Sequence, residues 1–162
     1  MNTIRFWELV VLLILVSIIN SSCQKDDDKG SSNFPSIEWY ESIIPHGTFQ
    51  YENISDVYAL YKSYTFNEDH SFSQYVKAAE RTMNTDGAGN KTYTKWKVIT
   101  NETKKGTWHI TMDGIPELQL SYENGSSRII DLYDLHNRPD SFYDDNGYLF
   151  KREYGNYVGP TF

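Results

Sequence analysis

Gly106-Thr107-Trp108-His109-Ile110-Thr111-Met112 alternates apolar and polar residues without a break, and Asp113-Gly114 then turns the chain. Glu117-Leu118-Gln119-Leu120-Ser121-Tyr122 alternates again, Asn124-Gly125 turns, and Arg128 to Leu135 returns as a third run. A period of two belongs to a half-buried strand, so Trp108, Ile110 and Met112 point inward together, as do Leu118, Leu120 and Tyr122. Asn-Gly between alternating runs is the strongest short-range hairpin signal. The stretch sets the fold class as antiparallel and all-β.

Working outward, the same rhythm recurs. Gly47 to Tyr51 is a candidate first strand, and Val57 to Phe66, dense in tyrosine with Lys62 its single charge, is a second. Asn67-Glu68-Asp69-His70 turns into Ser71 to Val76. Asp86-Gly87-Ala88-Gly89-Asn90 is rich in glycine but lacks the Lys-Ser/Thr ending of a phosphate loop, so it reads as a turn. Thr92 to Ile99 is expected as a fourth strand with Trp96 and Val98 on one face, and Asn101 to Lys105 as a charged turn. Ser141-Phe142-Tyr143 and Tyr148 to Tyr154 flank the turn Asp145-Asn146-Gly147. About eight short strands joined by tight turns form an up-and-down meander, whose edges are removed by closing it into a small barrel. Ile37 to Ile44 is either a short helix or an extended cover strand. As a helix it spaces Ile37, Tyr40 and Ile44 to close one end of the barrel.

Residues 1–33 read as an address. Arg5 precedes the apolar run Leu9 to Val16, which is too short to span a bilayer as a helix but fits a secretory signal peptide. The run ends in Ser21-Ser22-Cys23, and Cys23 is the chain's one cysteine, so it has no internal disulfide partner. Ser21-Ser22-Cys23 resembles the lipobox of bacterial lipoproteins, with Asn20 where that motif usually carries leucine. Gln24-Lys25-Asp26-Asp27-Asp28 resembles the Bacteroidetes-type export signal that accompanies display on the outer surface. Together these imply a signal peptide over 1–22, an acylated Cys23 and a solvated tether over 23–33. A folded domain over 34–162 follows.

The domain carries a resemblance of its own. Tyr64-Thr65-Phe66-Asn67-Glu68-Asp69-His70-Ser71-Phe72, Gly106-Thr107-Trp108-His109-Ile110, Leu118 to Tyr122 and Gly147-Tyr148-Leu149-Phe150-Lys151-Arg152 are similar to the pattern of bacterial lipocalin-like domain proteins. His70 stands where that family usually has glycine, and Gly47-Thr48-Phe49 replaces the early Gly-x-Trp. The resemblance implies a meander barrel able to hold a ligand.

About 140 residues remain after residue 22, enough for one domain with one core. The formal net charge is -7, which disfavours nucleic acid, because that binding rests on neutralising phosphates. Aromatic residues make up 15% of the chain and tyrosine is the commonest of them, as suits strands with half-buried, wet hydroxyls.

Little catalytic chemistry is written into the chain. His46, His70, His109 and His136 lie far apart and no pair has metal-ligand spacing, so no metal or other cofactor is expected. Asp131, Asp134, Asp140, Asp144 and Asp145 make the C-terminal part of the domain rich in carboxylates. It could serve hydrolysis or calcium, but Asp144-Asp145-Asn146-Gly147 is first a hairpin turn. The remaining functional material is aromatic and apolar. Trp96, Trp108, Ile110, Met112, Leu118, Leu120 and Tyr122 either line a ligand cavity or fill the core. The expectation is a lipid-anchored, surface-exposed protein of the outer membrane that catalyses nothing and binds a small apolar ligand inside its barrel. The alternative is a packed barrel whose surface binds an envelope protein or glycan.

Overall fold

The computed structural model describes residues 34–155 together with 160 and 162. Cys23, the tract Gln24 to Asp28 and the signal-peptide boundary lie outside the described residues. A seven-residue helix, α1 (Ile37–Ile43), opens the domain, and ten strands follow. They are β1 (Thr48–Ile54), β2 (Tyr58–Phe66), β3 (Ser71–Glu80), β4 (Met83–Thr85), β5 (Lys91–Tyr93), β6 (Lys97–Asp113), β7 (Ile115–Tyr122), β8 (Ser127–Asp131), β9 (Ser141–Tyr143) and β10 (Leu149–Glu153).

Eight strands make one antiparallel sheet in the order β8-β7-β6-β3-β2-β1-β10-β9, and β4 and β5 form a separate ribbon. With that ribbon set aside, every strand except the pair β8 and β9 hydrogen-bonds to its neighbours in chain order, and the last hairpin returns to the first strand through Thr48↔Glu153. This is the expected meander, bent into a barrel that is nearly closed. Its single break falls between β8 and β9.

The inner face follows the period-two pattern. Phe49, Tyr64, Phe66, Phe72, Trp108, Leu118, Leu120, Phe142 and Phe150 are buried together. α1 caps one end of this core, with Tyr40 and Ile44 buried and Ile37 packed against them. The helix is extended one residue by Ile44, whose N–H bonds Tyr40 O, and Pro45 ends it. Arg152 of β10 fixes the cap. Its Nη1 donates to the carbonyls of Ile43 and His46, its Nη2 donates to Pro139 O at 3.0 Å, and its guanidinium lies 4.3 Å from the Phe49 ring. Ile43 O ends the helix and also accepts from His46 N at 3.3 Å, so Arg152 ties the helix end and the turn after it to the segment at Pro139.

Three strand assignments made from sequence are corrected. Asn101 to Lys105 is no turn: β6 runs unbroken for 17 residues and pairs with β3 from Ser71↔Thr107 to Glu80↔Lys97. Its charges mislead because this arm is exposed on both faces, so it needs no apolar alternation. Thr92 to Ile99 is not one strand; Lys91–Tyr93 belongs to the ribbon and Lys97 opens β6, leaving Trp96 between them. The third run stops at Asp131. Leu132 and Leu135 are buried in a turn, with Leu135 N donating to Leu132 O.

Candidate functional site

Past the hydrophobic core, the inward positions turn polar. Tyr64 OH accepts from Gln74 Nε2 at 2.7 Å and from Arg128 Nη1 at 3.2 Å, and Tyr122 OH donates to Gln74 Oε1 at 3.0 Å. Lys62, two residues from Tyr64 on the same face, sits 4.3 Å from the Tyr148 ring centre, and Tyr148 stacks on Tyr51 at 4.5 Å. Asp144 completes the cluster. Its Oδ1 accepts the N–H groups of Asn146 and Tyr148, while Oδ2 lies 3.9 Å from Lys62 Nζ and 3.7 Å from Arg128 Nη1. Asp145 Oδ1 is 3.3 Å from the same Arg128 nitrogen.

Burial shifts the two tyrosines and Lys62 in the direction of neutrality. Burial, with smaller contributions from neighbouring charges, raises the Tyr64 phenol well above its ordinary range, and burial also raises Tyr122. Burial pulls the Lys62 ammonium down, and Asp144 only partly opposes it. A chain of neutral hydroxyl and amide groups with one cation at each side orients hydrogen bonds and fixes the barrel's register. Among the described residues, no group of three or more His, Cys, Asp or Glu side chains is placed to hold a metal ion.

Beside this cluster the break in the barrel opens outward as a groove of about 400 Å³. Ile129 and Asp131 of β8 form one wall, Tyr143 of β9 with Asp144 and Asp145 the other, and Tyr133, Asp134 and Leu135 the floor, with Phe142 behind.

The residues marked by sequence do not converge on one site. Trp108, Ile110, Leu118 and Leu120 are buried in the core, and Met112 packs against it. Tyr122 joins the polar cluster and also meets Phe72 edge-on at 5.1 Å. Trp96 stands apart, with the Arg81 guanidinium 4.3 Å from its ring and Phe162 at 6.1 Å. One face of its ring is therefore occupied by an arginine. The four histidines also stay apart; His70 stacks on Trp108 at 4.6 Å and His136 meets Phe34 at 5.4 Å. Sequence reasoning missed Gln74, Arg128 and Tyr148 as partners of Lys62 and Tyr64. The available signal was polar residues at inward positions, with Lys62 as the lone charge on a tyrosine-rich strand.

Comparison with protein-family models, with curated proteins and with solved structures finds no match in any of the three.

Proposed function

We propose that the chain is a lipid-anchored protein of the cell envelope, held at the outer membrane through an acylated Cys23 and displayed on its surface. Its lipocalin-like barrel is an interaction module that binds a protein or glycan on its exterior and catalyses no reaction. The observation that carries this reading is the filled barrel. Trp108, Leu118 and Leu120 are 1%, 0% and 0% exposed, and Tyr40 and Ile44 of α1 stop the end above them. A small-molecule site needs roughly 300 Å³ or more of free volume, and clearing one large side chain from a core costs about 2–5 kcal/mol. A binding surface outside the core avoids that cost.

The anchor reading draws on the sequence around Cys23, where a short apolar run, small residues and an acidic tract follow one another. No described helix is long and apolar enough to cross a membrane.

Native mass spectrometry of the full chain purified from its host tests the module reading. The expected mass is that of the chain plus its acyl groups. A further small molecule retained through desalting would return the ligand to the barrel interior. Cys23→Ser is expected to abolish incorporation of labelled palmitate and to release the protein from the membrane fraction; persistence of both would refute the anchor.

A further inference from the structure

The groove over the break in the barrel holds exposed tyrosine rings and carboxylates, and their chemistry narrows what fits there. We propose that this groove, on the outer face of β8 and β9, binds a short neutral saccharide. The inference deepens the interaction-module reading by choosing glycan over protein, and it rests on that reading.

Strand parity puts the lining on the outer surface. Arg128 and Ile130 face the interior, so Ile129 and Asp131 face out. Phe142 is buried in the core, so Tyr143 faces out as well. β8 and β9 approach within 8 Å, Cα to Cα, so an occupant lies over the two strands and not between them. Leu132 then turns inward, and Tyr133 and Asp134 stay at the surface beside the groove. Its volume of about 400 Å³ falls among small-ligand sites, which run from roughly 300 to 1,000 Å³.

The tyrosines supply the platform. Tyr133 and Tyr143 are 52% and 44% exposed, and both line the groove. Among the described residues the Tyr143 side chain makes no hydrogen bond and no ring contact. Tyr133 meets Phe34 edge-on at 5.4 Å, which leaves its phenol at the surface. An exposed phenol offers an apolar face to the C–H face of a sugar ring and a hydroxyl to its oxygens.

The carboxylates supply the acceptors. Asp134 makes no side-chain hydrogen bond or ion pair among the described residues, and Asp131 uses only Oδ1, on Tyr133 N. Both oxygens of Asp134 and Oδ2 of Asp131 are therefore open to sugar hydroxyls, which donate to them. The lining residues include four aspartates and no lysine, arginine or histidine, so an acidic sugar is repelled. Asp144 and Asp145 are already matched by Arg128. The two carboxylates left are exposed, and exposed carboxylates hold a lone cation weakly because water and salt screen the pair. Protein interfaces are depleted of aspartate and need about 800 Å² from each partner, which a small acidic groove does not match. A neutral polyol uses the same oxygens as directional acceptors.

The test uses the full chain in a nonionic detergent without a sugar headgroup, labelled with a fluorophore on lysine, which the groove lacks. It is applied to an array of neutral oligosaccharides and their uronic-acid and amino-sugar counterparts. Neutral members should bind about tenfold tighter than the matching uronates, with less than about a twofold change between about 0.05 and 0.5 M salt. Tyr143→Ala and Asp134→Ala should each weaken binding about tenfold while the melting temperature stays near that of the parent, since neither side chain holds another part of the fold. Tyr58→Ala, at an exposed tyrosine of β2 outside the groove, should leave binding unchanged. A preference for uronates, or for amino sugars with loss of binding in salt, would overturn the proposal. Neutral binding untouched by both Tyr143→Ala and Asp134→Ala would remove the groove and keep the module. Silence of the whole array would remove the saccharide, and in-cell crosslinking then separates the two levels. An envelope protein captured by the chain keeps the module; no partner removes both.

Discussion

Gly106 is a position where the barrel has no room for a side chain, and replacing it gives a stringent check on the packing. A Cβ built there would lie 2.0 Å from Ser121 O and 2.8 Å from Phe72 Cε1. The first neighbour is backbone of β7 and the second is the ring of a core residue, so neither can swing aside without opening the sheet. Overpacking of a tight site costs about 1–3 kcal/mol, and loss of one ladder hydrogen bond adds about 1 kcal/mol, so Gly106→Ala should cost about 2–4 kcal/mol. For a domain of this size that corresponds to a fall of roughly 8–16 °C in Tm. Two other glycines calibrate the number. Gly125 has nothing within 4 Å of a built Cβ but a φ of 83°, so Gly125→Ala should cost only the left-handed penalty of about 1–2 kcal/mol. Gly87 is open and has no such φ; Gly87→Ala should be neutral or slightly stabilising, by about 0.4–1 kcal/mol. Urea and thermal unfolding followed by tryptophan emission reads all three. A Gly106→Ala protein that melts within about 2 °C of the parent, or one more stable than Gly125→Ala, would refute the close approach of β6, β7 and Phe72.

Two further outcomes follow from the buried polar groups. Arg152→Met removes the guanidinium donor from the carbonyls of Ile43, His46 and Pro139, leaving Ile43 O only His46 N, and should cost about 3 kcal/mol and loosen α1, seen as a red shift of Trp39 emission. Arg152→Lys should recover less than half of that, because an ammonium cannot span three carbonyls as the guanidinium fork does; full recovery would show that charge alone holds the cap. Tyr64 predicts a pH dependence. Its folded-state phenol is raised by burial, so above about pH 10 the unfolded chain loses a proton that the folded chain keeps, and stability falls as pH rises, by about 1.4 kcal/mol per pH unit for one proton. Tyr64→Phe should lower stability at neutral pH, since Gln74 and Arg128 lose an acceptor, yet flatten that alkaline decline; an unchanged slope in unfolding measured from pH 9 to 11 would refute the assignment.

The hairpins were legible because they obey local rules. Asn124-Gly125 lies in a turn with Gly125 at positive φ, and Trp108, Ile110, Leu118 and Leu120 face inward as their alternation requires. What the sequence hid depends on tertiary pairing. The charged start of β6 is a strand only because β3 lies beside it, and no local pattern distinguishes an exposed two-faced strand from a loop. The polar cluster was hidden for another reason. Gln74 faces Tyr64 across the β2–β3 hairpin, but Arg128 and Asp144 come from the two opposite ends of the sheet order, and only curling of the sheet brings them to Tyr64, Lys62 and one another.

The break in the barrel was the least legible feature, since Leu132 continues the apolar alternation of β8 and Leu135 prolongs the apolar run, so the segment looks like more strand. They leave the sheet because Asp131 Oδ1 captures Tyr133 N at 2.6 Å, and Asp134 O then accepts from both Asn137 N and Arg138 N. The chain thus turns inward one residue after Asp131, and its two leucines fill the gap from the inside, each 0% exposed. The core is sealed there by side chains, with no eighth ladder to close the sheet, and the outward backbone of Ile129 and Tyr143 has no strand partner among the described residues. Closure of the core and closure of the sheet are separate events in this barrel.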